Sequence, residues 1–278
     1  MEFRPSRFEI LPPAIKNLLI INVLCFLAQQ TLGGPATGFS IDDTFALHAW
    51  QSPLFRPWQL VTHLFMHGGF SHIFFNMLAL WMFGSVLENV WGTKRFIIFY
   101  LICGLGAALI HLLFLSYEMI PILNDYAAVV QEQTAGRSND ALISFIARYD
   151  DIGFVNRGEL IQALRMGPGN SMVSGKVMEA VTSFYEGRIN SATLGASGAV
   201  FGILAAFGYL FPNTYLYIYM LFPIKAKWFV LIYGAFELYE GIRNSAGDNI
   251  AHWAHIGGAV VGLLIVITWN RTNRKTMY

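Results

Sequence analysis

Residues 192–211 read ATLGASGAVFGILAAFGYLF, a stretch without a charge that is long enough to cross a bilayer. A second charge-free stretch, residues 250–269, reads IAHWAHIGGAVVGLLIVITW. Ser197 and His255 lie at nearly the same depth from the starts of these two stretches. A hydroxyl and an imidazole at matching depth in two membrane helices are the components of a nucleophile and its general base. We therefore take Ser197 and His255 as the candidate catalytic pair.

A third apolar segment adds two polar side chains, His72 and Asn76, four residues apart on one helical face. Both offer N–H donors, which suit a developing oxyanion. His63, His67 and His72 leave a metal site open as the alternative. A hydrolytic zinc site usually brings a carboxylate base nearby, and no His-Glu-x-x-His spacing occurs. We expect neither a metal nor a cofactor.

The composition indicates a membrane protein. Of the 278 residues 55% are apolar and only 13% are charged, against about 25% charged in an average soluble domain. The formal net charge is +1, and no basic run reaches the length of a nucleic-acid patch. The expected surroundings are therefore the lipid bilayer, and nucleic acid is excluded as a partner.

Apolar length predicts an all-α, polytopic fold with six transmembrane helices. The first apolar run is interpreted as a retained helix, since no small-x-small cleavage site follows it. The fifth predicted span is short and ends in Glu237 and Glu240. The predicted spans are 17–33, 72–90, 95–116, 194–211, 227–241 and 251–269. They divide the chain into spans one to three (1–116), an extramembrane insertion (117–192), and spans four to six with a short tail (193–278).

Lysine and arginine residues set the orientation. With a cytoplasmic N-terminus, ten of them fall on the inner side and two in the short outer loops, which is a strong positive-inside bias. Both termini are then cytoplasmic in a multi-pass protein of the cell membrane. Spans two, four and six all begin at the outer face. At 1.5 Å per residue, the four candidate side chains lie within roughly 10 Å of that face, open to extracytoplasmic water.

The insertion 117–192 is polar and carries nine acidic and six basic residues. Apolar residues at helical spacing, such as Leu142, Phe145 and Ile146, predict a small helical subdomain; a disordered insertion is the alternative. We expect the insertion to modulate substrate access without taking part in the chemistry. The aromatic segment 214–224 is too short for a further span and is interpreted as an interfacial connection.

Glycines in spans four and six predict close helix packing. Small residues three or four apart let helix backbones touch in lipid, and packing alone is the simpler explanation of these glycines. The polar residues also have simpler explanations. Ser197 could hydrogen-bond to a carbonyl one turn earlier, and His252 competes with His255 as the base. The glycines concerned are Gly195, Gly198, Gly258 and Gly262.

Taken together, these motifs resemble the rhomboid family of intramembrane serine proteases. The likeness covers all six predicted spans in order. Trp58, just before the second span, also matches. The motifs are Gly195-x-Ser197-Gly198, Ala254-His255-x-x-Gly258-x-x-x-Gly262 and His63-x-x-x-His67-x-x-x-x-His72-x-x-x-Asn76.

The resemblance implies specific roles. Ser197 is expected to be the nucleophile and His255 its base in a dyad without an acidic member, although Asp248 is within reach. His72, Asn76 and the backbone N–H of Ser197 would form the oxyanion hole. His67 would support the first loop, Phe201 replaces a family tyrosine that stacks on the catalytic histidine, and Trp58-Gln59 replaces a Trp-Arg pair.

The expected function is hydrolysis of peptide bonds in or beside the transmembrane segments of other membrane proteins. The alternative is a catalytically silent rhomboid-like protein that binds membrane helices. A transporter is disfavoured because broken helices in paired halves are missing from the sequence pattern. The sequence predicts no particular oligomeric state.

Overall fold

The computed structural model describes residues 8–32, 39–136, 138–149, 152, 154, 156–166, 171–218, 222–243 and 250–274. The described chain is predominantly helical. The helices are α1 (Pro13–Leu32), α2 (Ile41–Phe45), α3 (Gln59–Thr62), α4 (Phe70–Ala79), α5 (Ser85–Trp91), α6 (Thr93–Ala135), α7 (Asp140–Arg148), α8 (Arg157–Met166), α9 (Ser171–Ile189), α10 (Ser197–Leu210), α11 (Ala226–Arg243) and α12 (His252–Arg274). A 3₁₀ turn covers His63–Phe65, and a π-helical turn at Leu80–Gly84 joins α4 to α5. The strands are β1 (Leu47–His48), β2 (Ala192–Thr193), β3 (Tyr215–Ile218) and β4 (Phe222–Lys225).

The chain divides into two compact units. The first contains Met1–Leu47, Phe55–Leu112 and Ala192–Tyr278, and the second contains His48–Leu54 and Leu113–Ser191. The predicted boundary at residue 116 falls inside α6, which continues to Ala135. The boundary was predicted from the end of the apolar run, where the lipid would end. A helix, however, can continue beyond its apolar part into water.

Four helical segments in the described ranges are long and apolar enough to cross a membrane: Pro13–Leu32, Phe70–Trp91, Thr93–Ala135 and His252–Arg271. The other two predicted spans correspond to α10 and α11. Helix α10 has only 14 residues, and α11 carries charged residues at both ends. Length and apolarity alone therefore support four of the six predicted spans.

Helix α10 begins later than the sequence predicted. Ala192 and Thr193 form strand β2, and the helix starts at Ser197 and not at residue 194. The reason is Gly195, whose φ of +123° lies outside the helical region. The backbone turns at this glycine and presents Ser197 as the first residue of the helix.

Helices α10 and α12 pack backbone to backbone. A Cβ atom at Gly258 would overlap the carbonyl oxygen of Gly198, and one at Gly262 would lie 2.7 Å from the Cα of Gly202. Helix α6 approaches α10 almost as closely, since a Cβ at Gly198 would lie 2.6 Å from the Cβ of Ala107. Glycine is thus required here for van der Waals contact, which drives helix association in lipid.

A buried carboxylate caps the first helix of this unit. Glu88, only 2% exposed, accepts hydrogen bonds from the backbone N–H groups of Ala14 (2.8 Å) and Ile15 (2.9 Å). The hydroxyl of Thr93 donates to it as well (2.7 Å). The first N–H groups of a helix have no partner within the helix and carry partial positive charge. Glu88 satisfies two of them and so fixes where α1 enters the unit.

The second unit has its own apolar core, formed by α7, α8, α9 and the part of α6 beyond Leu112. The carboxylate of Glu132 accepts the backbone N–H groups of Asp140 (2.9 Å) and Ala141 (2.5 Å) and caps α7. The helix-breaking sequence Gly167-Pro168-Gly169, between α8 and α9, lies outside the described residues. The buried core consists of Met119, Ile122, Val129, Leu142, Phe145, Ile146, Leu164, Val177 and Val181.

The segment expected to be an interfacial connection is a β-hairpin. Strands β3 and β4 pair antiparallel, with Tyr215 opposite Lys225 and Tyr217 opposite Pro223. The segment thus connects α10 to α11 as two paired strands. Its position at the membrane interface stays a prediction.

We expect Gly258→Ala to destabilise the protein strongly, because the added methyl group meets the backbone of α10, which cannot move aside like a side chain. Overpacking of this kind costs about 1–3 kcal/mol or more. Gly234→Ala on α11 is the matched control, since a Cβ there has no neighbour within 4 Å. Thermal unfolding of both variants in detergent measures the difference. Equal melting temperatures for the two variants would contradict the backbone contact.

Candidate active site

Ser197 and His255 face each other across the contact between α10 and α12. The Ser197 Oγ lies 2.9 Å from the Nε2 of His255, which stands in the first turn of α12. His252, the competing histidine, bonds through Nδ1 to Glu237 instead. The serine hydroxyl therefore meets an imidazole on a neighbouring helix, as nucleophilic catalysis requires.

Phe201 holds the plane of the His255 ring. The two rings are stacked, with centroids 4.2 Å apart and planes 8° from parallel. Phe201 follows Ser197 by one helical turn, so one helix carries both the hydroxyl and the surface that supports the imidazole. Tyr233 of α11 packs against Phe201, with ring centroids 4.9 Å apart and planes inclined at 52°.

The candidate oxyanion donors His72 and Asn76 both lie on α4. A Cβ at Gly195 would lie 2.8 Å from the Nε2 of His72 and 3.6 Å from the Oγ of Ser197, so these two side chains approach each other around this glycine. The Nδ1 of His72 accepts a hydrogen bond from the backbone N–H of Gly68 (3.3 Å). In a neutral imidazole this leaves the proton on Nε2, which faces the site. The Nδ2 of Asn76 is buried and makes no hydrogen bond within the described ranges.

The loop before α4 is tied down at His67, which is 1% exposed. Its backbone N–H donates to the Oε1 of Gln29 (2.9 Å), and the Nε2 of Gln29 donates to its carbonyl (3.4 Å). Burial, and to a smaller extent the neighbouring His72, lower the pKa of His67 to about 4. The neutral ring packs edge-on to His72, with centroids 5.2 Å apart, so His67 contacts one of the candidate oxyanion donors.

Gln59, in place of the family arginine, joins α3 to α2. It is fully buried, and its Nε2 donates to the carbonyls of Asp43 (3.2 Å) and Thr44 (3.4 Å). Its Oε1 accepts the backbone N–H of Arg56 (3.1 Å). Trp58 is half exposed, and its Nε1 donates to the same Thr44 carbonyl (3.0 Å). The neutral amide of Gln59 thus makes hydrogen bonds to α2 and to the backbone just before α3.

A cavity opens beside Ser197, lined among others by His63, His111 and Thr193. The Nε2 of His111 and the hydroxyl of Thr193 are 2.9 Å apart. The Nδ1–H of His63 donates to the carbonyl of Gln59 (2.7 Å), and burial lowers the pKa of His63 to about 4. His63, His111 and Thr193 therefore bring polar atoms into a cavity wall that consists otherwise mostly of alanine, leucine and glycine residues.

The alternative metal site of His63, His67 and His72 gains no support from this geometry. One ring nitrogen of His63 is bonded to Gln59 and one of His72 to Gly68. In the described part of the chain, three metal-binding atoms come within 4.8 Å of one another elsewhere, at Glu237, His252 and His255. Those atoms are already joined by hydrogen bonds.

Glu237 is the site residue that sequence reasoning missed. Its Oε2 lies 2.8 Å from the Nδ1 of His255, so the expected dyad has an acidic neighbour after all. The acid considered from the sequence, Asp248, lies outside the described residues. A signal was present, because an ionisable residue late in an apolar helix usually marks a functional position. It was interpreted instead as marking the end of the fifth span.

A family model described as "Rhomboid domain" matches residues 55–139 and 163–271, which is more than half of the chain. The chain belongs to the rhomboid family. The matched region includes Ser197, His255 and both candidate oxyanion residues. With its apolar helices, this rhomboid is a membrane protein.

Several curated rhomboid proteins are similar to the chain. Rhomboid protease GluP of Bacillus subtilis is 37% identical over 109 residues, which are 38% of this chain and 21% of that protein. An uncharacterized mitochondrial rhomboid protein of Schizosaccharomyces pombe is 25% identical over 224 residues, 78% of this chain and 52% of that protein. Rhomboid protease GlpG of Haemophilus influenzae is 28% identical over 92 residues, 31% and 45% of the two chains. The chain thus spans about half or less of the length of these relatives.

We expect Gln59→Ala to lower the free energy of unfolding by about 2–3 kcal/mol, because buried backbone groups would lose their partners. Gln162→Ala on α8 is the control, since Gln162 is exposed and its replacement should change stability little. Chemical unfolding in detergent measures both. If Gln59→Ala and the control lose equally little free energy of unfolding, the Gln59 amide does not hold α2 and α3 together.

Proposed function

We propose that this rhomboid is an intramembrane serine protease that hydrolyses peptide bonds in or beside transmembrane segments of other membrane proteins. The observation that carries the proposal is the 2.9 Å approach of the Ser197 Oγ to the Nε2 of His255. His72 and Ser197 approach each other around Gly195. The Nδ2 of Asn76, one turn after His72 on α4, is buried without a partner in the described ranges. The relatives named as proteases support the same reaction class.

In the proposed mechanism Ser197 attacks the peptide carbonyl while the Nε2 of His255 takes the hydroxyl proton. The oxyanion of the tetrahedral intermediate accepts hydrogen bonds from the Nε2–H of His72, the Nδ2–H of Asn76 and the backbone N–H of Ser197. That backbone N–H opens α10, so it has no acceptor within the helix. Collapse expels the amine, which receives the proton from His255. Water then attacks the acyl-enzyme with His255 again as the base.

We also propose the six-span topology, with α10 and α11 crossing the bilayer and both termini in the cytoplasm. Fourteen residues of α10 make a helix of about 21 Å at 1.5 Å per residue, shorter than the hydrocarbon core of about 30 Å. Ser197 then lies below the membrane surface, on the extracytoplasmic side in the cell membrane. The small cavity beside Ser197, into which His63 and His111 bring polar atoms, is the proposed place of the hydrolytic water.

The substrates in this proposal are transmembrane proteins whose backbone can become extended at the cleavage site. An intact helix satisfies its own carbonyls, so helix-breaking residues near the scissile bond favour cleavage. A catalytically silent protein that binds membrane helices is the rival. It is disfavoured because Ser197 and His255 lie at hydrogen-bond distance and His72 approaches Ser197 around Gly195.

We expect Ser197→Ala and His255→Ala to abolish cleavage of a model transmembrane substrate, because the first removes the nucleophile and the second leaves it without a base. Labelling by a serine-directed fluorophosphonate should be lost in both. Ser85→Ala, which removes another buried serine of the first unit, should label and cleave like the wild type. Labelling of purified Ser197→Ala at the wild-type rate would disprove the assignment.

We expect Asn76→Ala and His72→Ala each to lower kcat about 100-fold with little change in KM, because a donor to the oxyanion acts chiefly in the transition state. Asn76→Asp should be at least as impaired, since a carboxylate repels the oxyanion. Asn124→Ala on α6, at an exposed position, is the control. Steady-state kinetics separates the parameters, and a loss confined to KM would assign these residues to substrate binding.

A further inference from the structure

A buried carboxylate lies behind the proposed general base. Glu237 of α11 is 3% exposed, and its Oε2 lies 2.8 Å from the Nδ1 of His255. The same oxygen lies 2.6 Å from the Nδ1 of His252, which is also buried. Since His255 reaches Ser197 through its other nitrogen, the four side chains form one hydrogen-bonded series from His252 through Glu237 and His255 to Ser197.

The carboxylate determines which ring nitrogen of His255 carries the proton. An ionised carboxylate only accepts hydrogen bonds, so the Nδ1 of His255 must be the donor. A neutral imidazole has a single N–H, and the lone pair is therefore on Nε2, directed at the Ser197 hydroxyl. This is the tautomer that a general base needs.

The negative charge matters again when the base takes up its proton. The hydroxyl proton of Ser197 moves to the Nε2 of His255 as the Oγ–carbon bond forms, and His255 becomes an imidazolium that still holds its Nδ1 proton. Glu237 stays ionised and faces the new positive charge at hydrogen-bond distance. Such a contact stabilises the transition state strongly in a site of low dielectric constant.

His252 contacts the Glu237 carboxylate and holds it in place, as Glu237 holds the ring of His255. A carboxylate buried with a single partner bears a large desolvation cost, and the N–H of His252 supplies a second donor to the same oxygen. The rings of His252 and His255 are nearly perpendicular, at 84°, with centroids 6.3 Å apart. They approach the oxygen from two directions and restrict where the carboxylate can lie.

We propose that Glu237 is a positioning residue for the catalytic base His255, and that His252 positions Glu237. The proposal rests on the proposed function of Ser197 and His255 and deepens it: the site works as a serine–histidine–glutamate triad supported by a second histidine. A competing interpretation is that the His-Glu-His group only ties α11 to α12. In that case the negative charge has no effect on rate once the hydrogen bonds are kept.

The test is Glu237→Gln, because glutamine has the same shape and its carbonyl oxygen can still accept both histidine N–H groups. We expect at least about a 100-fold loss in kcat and in the rate of fluorophosphonate labelling, with KM within about twofold and an unchanged melting temperature. Glu237→Asp, which restores the charge, should recover part of the rate. Glu240→Gln is the matched control on the same helix, as Glu240 pairs with Arg243 (3.7 Å) and not with a histidine, and it should behave like the wild type.

The role of His252 is tested by a pair of variants. His252→Phe removes the donor and should lower the labelling rate about tenfold, whereas His252→Asn keeps an N–H near the position of Nδ1 and should restore most of it. Equal rates in the two variants, both below the wild type, would overturn the role of the donated hydrogen bond.

The outcomes distinguish a failure of the triad from a failure of the protease function. If the wild type is labelled and Glu237→Gln is labelled within twofold of its rate, the triad is wrong while the protease function stands. If the wild type neither labels nor cleaves, the protease function fails and the triad fails with it. Zinc bound stoichiometrically to the wild type and absent from Glu237→Gln would also overturn the triad, because the metal would occupy the Nδ1 lone pairs.

Discussion

The backbones of α10 and α12 touch at Gly198 and Gly258, and the geometry of the site depends on this contact. A hydrogen bond of 2.9 Å between side chains of two helices requires that the helices be held to within a few tenths of an ångström. In lipid, apolar surfaces gain nothing from leaving water, so dispersion contact between closely fitting backbones must supply the attraction. The glycines bring the helix axes together, and Phe201 then sets the ring plane of His255.

Carboxylates in the apolar first unit obey the same physical rule at two places. Glu88 and Glu237 are both almost fully buried, and each accepts hydrogen bonds from more than one donor. The cost of removing a charge from water is high, and it is offset only when several donors converge on it. At Glu88 the donors are the N–H groups at the start of α1, and these hydrogen bonds hold the first turn of that helix in place. At Glu237 they are imidazoles, and one of those imidazoles also contacts the serine hydroxyl.

Ser197, His255, His72 and Asn76 could be selected from the sequence because depth along a membrane helix follows from residue count. Glu237 could not be assigned in this way. Its contact with His255 depends on how α11 is rotated about its axis, and neither apolar length nor spacing reveals rotation. The start of α10 was missed for a local reason, since only the positive φ of Gly195 shows that the helix cannot include residue 194. The end of α6 was missed because the apolar run stops well before the helix does.

The order of α10 and α12 along the chain has a consequence for biogenesis. The helix that carries Ser197 is synthesised first, α11 with Glu237 next, and the helix with His255 and the second half of the glycine contact last. Membrane helices insert as separate units before they associate. In the proposed mechanism, Ser197 therefore remains an ordinary, unreactive hydroxyl until α12 has left the ribosome and inserted. A nascent chain that still lacks α12 would then have no proteolytic activity at the translocon.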